Sequence, residues 1–549
     1  MVILITAGYA TVPAIASPPA FPNSPSLAQI ANRTSNALVV SLAASVSLRA
    51  VGDRSQQATV SSVAASQLSP AALLQTASPT QAPPFAPSTT PRSTVTDRDL
   101  ACSASPVSSL SPSETTVMRI GVRFLDGAGS VTDANGNLRL GRTPVDYICR
   151  NLRVSVGEPF RDDQARQDLR HLYALGIFSY VDFVTEANPD GGVHLLYRLQ
   201  EGATNSFSLA GGADEVSGYY GGVSYRQQLG IASQIEVGGQ YGTRGHLQLS
   251  GSFFTPPLGD GTLGYRVYGF NRYTLSSVFD EQIPLANGDA VRINRLSAGA
   301  SLLHWFGDWQ GEIGIAFNAI STRDGSNRIF ATDALGNPLS FSGTGLDDLL
   351  TVQAKVTIDQ RDNPSNPVYG GILTLSSEQS IPLARGNILG NRLLANYVYY
   401  WALSDPRPDR LQATLAFKVQ AGTVVGDLPP YLAFVAGGPE SVRGYDFGAI
   451  GSGRSFLLTS VEYRFPLLEL AIFEQTIPLG GVLFTDFASD LGSGRAVLGE
   501  PGVIRNKPGS GFGFGVGVRA SSPFGLLRTD LGISDRGEVR VNFSFGQRF

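Results

Sequence analysis

The feature that most constrains this chain is an alternation of apolar and polar residues with a period of two, which recurs from Asn205 to Phe549. Side chains of a β-strand point alternately to opposite faces, so each such segment is predicted to be a strand with one apolar and one polar side. The segment EVRVNFSFGQRF places Val539, Val541, Phe543, Phe545 and Phe549 on one face, and Glu538, Arg540, Asn542, Ser544 and Arg548 on the other. In FGFGVGV one face carries Phe and Val, and every position of the opposite face, which would point inward in a closed sheet, is glycine.

Sixteen segments of this kind can be counted, and an even number keeps both ends of a closed sheet on one side of a membrane. Lengths of about 9 to 14 residues suit tilted strands that cross a bilayer. Connections after even-numbered segments are mostly short, whereas those after the fifth, seventh, eleventh and thirteenth are long. A soluble β-sandwich also alternates, but it does not need so many strands of similar length. The predicted strands span residues 205–212, 217–228, 232–242, 244–255, 261–273, 292–304, 308–321, 348–359, 369–380, 390–403, 409–422, 455–465, 479–487, 511–521, 525–533 and 538–549.

Composition favours a mainly β chain with a 16-stranded transmembrane β-barrel over residues 203–549. Charged residues make up 16% of the chain, glycine occurs 63 times, and the mean hydropathy is +0.02. A barrel reaches such a value because apolar outer residues and polar inner residues average out. The longest apolar runs, Val2–Ala16 and Ala37–Leu48, are shorter than the about 18 residues of a membrane-spanning helix. The net charge of −4 gives no reason to expect a nucleic acid partner.

Residues 1–50 are interpreted as a signal or targeting region, with two alternatives for the signal itself. Val2–Ala16 ends in the small-x-small site Ala14-Ile15-Ala16, but no Lys or Arg precedes Arg33, whereas signal peptides normally begin with positive charge. The second candidate is the apolar run Ala37–Leu48 after Arg33. Residues 51–116 are rich in Ser, Thr and Pro and are predicted to be a linker.

Residues 117–202 are predicted to form a small α+β domain with the order β-α-α-β-β. Apolar and polar residues alternate from near Ile120, which predicts the first strand. The first helix is predicted to start at Thr143-Pro144 and the second at Asp162 or Asp163. Gly176 ends the second helix, and two strands follow it. Its second helix and next strand resemble those of the polypeptide-transport-associated (POTRA) repeat. That resemblance implies a periplasmic module that receives client chains along an exposed strand edge. The matching positions are Leu172, Leu175, Gly176, Phe178 and Val181.

A glycine-rich segment, GGPESVRGYDFGAIGSG (Gly437–Gly453), lies in the longest predicted external loop. Its SVRGY, preceded by two glycines, resembles the signature of the BamA/TamA and two-partner-secretion superfamily of outer-membrane insertases and translocators, which includes the bacterial surface antigen family. Further stretches match that family in order: IDQRDNPSNPVYGG, VEYRFP, VLFTDFA, SSPFGLLRTDLG and FSFGQRF. With the POTRA-like segment, the resemblance covers residues 117–549.

The resemblance implies that Arg443 lies inside the barrel. A guanidinium keeps its charge and is costly to bury alone, so an arginine folded into a barrel lumen requires carboxylates. Strand phase points Glu462 inward on the twelfth predicted strand, and Asp486 and Phe484 inward on the thirteenth. The resemblance implies that these positions receive the loop as a latch. The motif that they would hold is Val442, Arg443, Gly444 and Tyr445. A surface loop with a solvated arginine is the alternative.

Other reactive residues show no arrangement of an enzyme or a metal site. Cys102 and Cys149 are the only cysteines; in an exported protein they could form a disulfide, and free thiols are the alternative. No phosphate-binding loop or nucleophile elbow occurs. The sequence therefore predicts no enzyme activity, no metal and no cofactor. The dispersed histidines are His171, His194, His246 and His304.

The resemblance implies that the chain inserts β-barrel precursors into the outer membrane or translocates polypeptides across it. Its partners would be unfolded outer-membrane or secreted polypeptides, the lipid bilayer, and periplasmic chaperones or accessory lipoproteins. The implied location is the outer membrane, with the N-terminal domain in the periplasm. A two-partner secretion translocator is the close alternative, although that branch usually carries two POTRA domains and a plugging helix. A passive porin explains the strands but neither the POTRA-like segment nor the VRGY loop.

Overall fold

The computed structural model describes most of the chain from Leu100 onward. The predicted signal region and nearly all of the predicted linker lie outside the described residues and stay predictions. The described residues are 100–102, 116–188, 191–214, 217–257, 263–279, 282–363, 366–383, 385–403, 412–472, 475–522, 525–546 and 548–549.

The N-terminal domain is a three-stranded sheet with two helices, and its order β-α-α-β-β is confirmed. Its elements are β1 (Val117–Phe124), α1 (Val145–Cys149), α2 (Asp162–Ala174), β2 (Phe178–Ala187) and β3 (Val193–Glu201). Strand β3 lies in the middle, parallel to β1 and antiparallel to β2. The chain leaves α2 through Gly176, whose φ of +72° favours glycine. Among the described residues, no helix combines the length and the apolar character that crossing a membrane requires.

Residues 100–102, at the end of the predicted linker, join this domain because they pair with β1. The N–H of Val122 donates to the carbonyl of Leu100 over 2.7 Å, and the N–H of Cys102 donates to the carbonyl of Ile120 over 3.0 Å. Leu100 is fully buried in the domain core. Cys102 forms a disulfide with Cys149 at the end of α1. Of the two alternatives that the sequence leaves open, the structure shows the paired cysteines.

Sixteen strands then close into an antiparallel barrel, which confirms the predicted fold class and strand count. Each barrel strand pairs with the next one along the chain, and the last strand returns to the first. The barrel strands are β4 (Asn205–Asp214), β5 (Gly218–Leu229), β6 (Ser233–Gly242), β7 (Leu247–Thr255), β8 (Gly264–Leu275), β9 (Arg292–Phe306), β10 (Trp309–Arg323), β11 (Leu346–Asp359), β12 (Gly370–Ile381), β13 (Gly390–Ala402), β14 (Thr414–Gly426), β17 (Ser455–Ile472), β18 (Gln475–Ser489), β19 (Ser510–Ser522), β20 (Gly525–Ser534) and β21 (Val539–Phe545). The remaining elements are β15 (Phe434–Ala436), β16 (Gly451–Gly453), α3 (Pro501–Ile504) and the 3-10 turns Pro430–Leu432 and Gly494–Ala496.

The two ends of the barrel differ in the length of their connections. Long loops follow β8, β10, β14 and β18, which are the fifth, seventh, eleventh and thirteenth barrel strands, as the sequence predicts. We call this the long-loop end. The opposite, short-turn end carries connections such as Gly307–Asp308 between β9 and β10. The chain enters the barrel at the short-turn end, where three residues join β3 to β4.

The outer wall of the barrel is apolar, as a lipid-facing surface requires. Along β21 the side chains of Val539, Val541 and Phe543 are 50%, 64% and 42% exposed on the outside. Inward positions carry polar and charged residues instead. Large apolar side chains exposed on other strands include Val237, Val267, Leu302, Ile313, Ile315, Trp401, Leu483 and Val516.

The last predicted strand ends earlier than its alternation indicates. Strand β21 stops at Phe545, and Gly546 takes a φ of +94° that turns the chain away from the wall. The prediction that Phe549 faces the lipid is therefore wrong, since its side chain packs inside the barrel against Val398, Tyr400 and Ala416. Arg548 is buried in the lumen, on the inner side that strand phase predicted.

Candidate functional site

The loop Gly437–Gly453, here called the latch loop, folds into the barrel from its long-loop end. Strands β15 and β16 pair at its base and bring the two arms of the loop together. Val442, Arg443 and Tyr445 are 0%, 0% and 3% exposed. Gly444 has a φ of +99°, and a Cβ there would lie 2.6 Å from the backbone nitrogen of Ser534. The motif thus needs glycine after the arginine, because the backbone passes close to β20 in a left-handed conformation.

Arg443 is fully buried and holds two carboxylates. Its Nε and Nη2 donate to Oδ2 and Oδ1 of Asp486 over 2.7 and 2.9 Å, and its backbone N–H donates to Oδ2 over 3.1 Å. Its Nη1 donates to Oε1 of Glu462 over 2.7 Å. The guanidinium carbon also lies 3.4 Å from the ring centroid of Phe484. Burial opposes the charge, but the carboxylates of Asp486 and Glu462 outweigh it and raise the pKa of Arg443.

The carboxylates that accept these hydrogen bonds point into the barrel from β17 and β18, as the alternation of residues along the two strands predicts. Asp486 is opposite Ser460 in the register of the two strands, and Phe484 is opposite Glu462. Ser460 adds a hydrogen bond from Oγ to Oδ1 of Asp486, 2.6 Å long. Alternation on two paired strands therefore brings the polar groups to one patch of the inner wall.

Further charged residues complete this patch, and the sequence interpretation did not assign them to it. Arg464 donates to Glu462 over 3.0 Å, Arg519 donates to Asp530 over 2.7 Å, and Nη1 of Arg548 donates to Asp486 over 3.0 Å. The alternation along the strands was the signal for all of them, since Arg464 shares the inward face of Glu462 and Arg548 lies on the inward face predicted for the last strand. Arg519 continues the inward glycine positions of β19, and Asp530 lies opposite inward Gly517 in the β19–β20 register.

The latch loop also binds the last two strands of the barrel. Glu440 pairs with Arg528 of β20 over 2.9 Å, and Asp446 accepts a hydrogen bond from Nη2 of Arg540 of β21 over 2.6 Å. The Tyr445 hydroxyl donates to Asp535 in the turn between these strands. Burial and Asp535 raise the pKa of Tyr445 to about 12, so the phenol stays a hydrogen-bond donor at neutral pH. The loop thus ties together the wall from β17 to β21.

The seam between β21 and β4 is the weakest junction of the barrel wall. Among the described residues, only two pairs join these strands, Phe543 with Ala213 and Ser544 with Gly212. By contrast, β20 and β21 pair from Leu527–Phe545 to Ile533–Val539. The two seam pairs lie near the long-loop end of β4. Its preceding residues, from Asn205 to Gly211, have no partner strand on the seam side among the described residues.

The N-terminal domain contacts the short-turn end of the barrel. Arg153 donates from Nη1 to Asp308 over 3.0 Å, and Gln167 of α2 donates to the same carboxylate over 2.9 Å. The rings of His171 and Trp305 are 4.6 Å apart. These contacts hold α2 against the turn between β9 and β10. Among the described residues, no group of three or more His, Cys, Asp and Glu side chains is placed to hold a metal ion.

Two chloroplast proteins are similar in sequence to about four-fifths of this chain. Outer envelope protein 80, chloroplastic, from Arabidopsis thaliana is 29% identical over 455 residues, which cover 80% of this chain and 58% of that protein. Protein TOC75, chloroplastic, from Pisum sativum is 26% identical over 488 residues, which cover 79% of this chain and 56% of that protein. The chain thus spans somewhat more than half the length of these relatives.

Two solved structures and one family model are also similar to this chain. BamA from Haemophilus ducreyi lacking POTRA domains 1–3 has 15% identity and a TM-score of 0.48, with 79% of this chain and 84% of that chain covered. CdiB from Escherichia coli has 12% identity and a TM-score of 0.49, with 78% and 76% covered. The model of the Omp85 superfamily domain matches residues 228–549, which is more than half of the sequence. The chain therefore belongs to the Omp85 superfamily of outer-membrane β-barrel proteins.

Proposed function

We propose that this protein inserts β-barrel precursors into an outer membrane by adding their strands to the open edge of β4. The observation that carries this proposal is the seam, where, in the part of the chain that the structure describes, β4 pairs with β21 only through Ala213 and Gly212. The rest of that edge, from Asn205 to Gly211, offers backbone N–H and C=O groups along a strand of the barrel wall. Unpaired backbone groups are costly in lipid, so an incoming strand that pairs with them gains stability.

The N-terminal domain would deliver the incoming chain by the same kind of pairing. Residues 100–102 cover the outer edge of β1, and the Cys102–Cys149 disulfide holds them there. Strand β2 forms the other edge of the sheet, and among the described residues no strand pairs with its outer side. An extended segment can add to such an edge by main-chain hydrogen bonds. A connection of three residues from β3 to β4 places the domain directly before the strand whose edge is open.

Orientation follows from the two barrel ends. The contacts of Arg153 and Gln167 with Asp308 put the N-terminal domain at the short-turn end. We assign this end to the periplasm, or to the equivalent compartment if the membrane is an envelope. We further propose that this domain is a POTRA module, that chaperones or accessory lipoproteins meet the protein there, and that the protein is not an enzyme.

Translocation of a secreted polypeptide through the lumen is the second candidate. The barrel interior favours insertion over it, because the buried latch loop would have to leave before a chain could pass. Arg443 has four hydrogen bonds to Asp486 and Glu462, and their loss would leave buried charges unpaired. An insertion route along the seam leaves these bonds in place.

A disulfide across the seam tests the proposal. Ala213 and Phe543 are directly opposite, so cysteines at both positions meet the distance that a disulfide needs. We expect the oxidised Ala213→Cys/Phe543→Cys variant, reconstituted in vesicles, to lose most of its rate of β-barrel precursor insertion. The same variant, with Cys102–Cys149 formed but the two seam cysteines not yet oxidised, should keep the wild-type rate.

The matched control is a disulfide within a fully paired part of the wall. Leu531 and Val541 are opposite each other on β20 and β21, and both side chains face outward. The oxidised Leu531→Cys/Val541→Cys variant should insert precursors at the wild-type rate. If the seam disulfide also leaves the rate unchanged, insertion does not use the seam and the proposal fails.

A further inference from the structure

A cavity of about 420 Å³ lies inside the barrel, between the wall and the segment that leads into the latch loop. Three arginines of the wall line it, Arg272 of β8, Arg295 of β9 and Arg392 of β13. Apolar side chains, among them Phe434 and Phe456, form much of the remaining lining. Of the described residues that line this cavity, none is an aspartate or a glutamate. The described lining therefore presents three positive charges and no carboxylate.

Two of these arginines face each other across the sheet. Arg272 and Arg295 are directly opposite in the β8–β9 register. Their guanidinium carbons lie 5.7 and 5.9 Å from the ring centroid of the same residue, Phe270. Like charges directly opposite each other destabilise a sheet. An anion bound between the two guanidinium groups would remove this repulsion.

The hydrogen bonds of these arginines orient the guanidinium groups without neutralising them. Nε of Arg272 donates to Oε1 of Gln248 over 2.7 Å. Nε and Nη2 of Arg295 donate to Oδ1 of Asn318 over 3.1 and 2.9 Å. Both acceptors are neutral amide oxygens. The positive charges are thus held in fixed positions and stay uncompensated by these partners.

Among the described residues, two carboxylates lie near the cavity without lining it. Glu378 is opposite Arg392 in the β12–β13 register, while the Arg392 guanidinium lies 4.2 Å from the ring centroid of Phe434. Asp347 lies behind Tyr431, and its oxygens already accept hydrogen bonds from the Tyr431 hydroxyl, 2.8 Å long, and from two backbone N–H groups. Neither carboxylate is opposite Arg272 or Arg295 in the sheet register.

Elsewhere in the lumen the chain pairs an arginine with a carboxylate. Nη1 of Arg266, also on β8, lies 3.1 Å from Oε1 of Glu312, and Lys355 contacts the other oxygen of that carboxylate. On this part of the inner wall a glutamate therefore balances the charge of an arginine and a lysine. The cluster of Arg272, Arg295 and Arg392 differs from that arrangement.

We propose that Arg272, Arg295 and Arg392 form a binding site for an oxyanionic group inside the barrel. Guanidinium groups bind carboxylate and phosphate oxygens with paired hydrogen bonds, and a cavity walled by protein strengthens their field. A free inorganic oxyanion and a carboxylate of a polypeptide inside the lumen share this chemistry. This site goes beyond the proposed insertion activity, since it requires neither an open seam nor a client strand at β4.

Calorimetric titration of the full chain in nonionic detergent tests the proposal, with inorganic phosphate as the first probe and a short polyglutamate peptide as the second. Chloride keeps the ionic strength constant during each titration. We expect saturable binding of at least one probe, and about tenfold weaker binding in Arg295→Gln and in Arg272→Gln, because each loses a charged double donor. Arg266→Gln is the matched control on the same wall and should bind as tightly as the wild type.

The two probes separate the two sources of the ligand. Tighter binding of the peptide indicates carboxylates of a polypeptide, and tighter binding of phosphate indicates a free oxyanion. If neither probe binds saturably, or if Arg295→Gln, Arg272→Gln and Arg266→Gln all bind like the wild type, no such site exists. Binding is measured without insertion, so a failure here leaves the seam proposal intact and the reverse also holds.

Discussion

Gly513 of β19 lies directly under the backbone of Arg443. A Cβ at position 513 would be 2.1 Å from the Arg443 carbonyl oxygen, far inside contact distance. Gly532 of β20 is similar, since a Cβ there would be 2.6 Å from the backbone nitrogen of Gly444. The inward glycines of these strands therefore make the space in which the latch loop rests against the wall.

We expect Gly513→Ala to displace the latch loop. The new methyl group meets backbone, which cannot rotate away, and such overpacking costs about 1 to 3 kcal/mol of unfolding free energy. The measurement is protease cleavage within the latch loop of the folded protein, which should become faster. Gly221→Ala is the control, because a Cβ on this glycine of β5 meets nothing within 4 Å. Equal cleavage rates in both variants would contradict a close contact at Gly513.

Arg548 shares Asp486 with Arg443, so the two arginines should be energetically coupled. Nη1 of Arg548 is 3.0 Å from Oδ1 of Asp486, and its Nη2 donates to the Ser441 carbonyl of the latch loop over 2.6 Å. Either arginine alone leaves Asp486 with a cation, but loss of both leaves it buried without one. We expect Arg443→Ala/Arg548→Ala to lose more unfolding free energy than the sum of the single variants, with a coupling of about 0.5 to 3 kcal/mol.

Chemical unfolding in lipid vesicles measures this coupling. Arg226 is the control, because it forms an exposed pair with Glu236 on the neighbouring strand, and exposed pairs contribute at most about 1 kcal/mol. Arg226→Ala combined with Arg443→Ala should be additive. Additive losses for Arg443 and Arg548 as well would show that the shared carboxylate does not couple them.

The sequence predicted the barrel and the acceptors of Arg443 because both depend on a local signal. A period of two places Glu462 and Asp486 inward whatever the rest of the chain does, and antiparallel pairing of β17 with β18 then brings them together. The same signal failed at β21, since alternation continues to Phe549 although Gly546 turns the backbone inward. The alternation of apolar and polar residues alone does not show at which glycine the backbone turns out of the strand.

The seam register could not be predicted, because it joins strands from the two ends of the barrel sequence. The structure places Ser544 opposite Gly212, an offset that the alternation of apolar and polar residues does not set. No turn connects β4 to β21, so no loop length sets their offset. The sequence also left undecided whether Cys102 and Cys149 form a disulfide. It does not show that Leu100 packs in the core and so brings Cys102 to α1.

Reduction of this disulfide should destabilise the N-terminal domain and leave the barrel intact. The bond closes a loop between residues 47 apart in sequence, and a loop of this length is expected to contribute about 4 kcal/mol through the entropy of the unfolded chain. Limited proteolysis should cut β1 to β3 faster after addition of a reductant, while the barrel keeps its heat-modifiable migration. A Cys102→Ala/Cys149→Ala variant should be cut fast with or without reductant. Unchanged cleavage of the reduced wild type would show that the bond contributes nothing.

The pair of Arg443 and Asp486 should be the strongest single contact of the latch loop. Arg443→Ala leaves Asp486 with Arg548 as its remaining hydrogen-bonded cation, and Asp486→Asn leaves Arg443 with Glu462 as its remaining hydrogen-bonded carboxylate. Breaking a buried pair costs up to roughly 3 to 5 kcal/mol, so each variant should lose heat-modifiable folding and expose the loop to protease. Arg443→Lys should rescue only in part, since an ammonium cannot reproduce the paired bonds to Oδ1 and Oδ2. In the Arg443→Ala/Asp486→Asn variant the loss should be smaller than the sum of the two. Single variants that fold and resist protease like the wild type would rule out the latch.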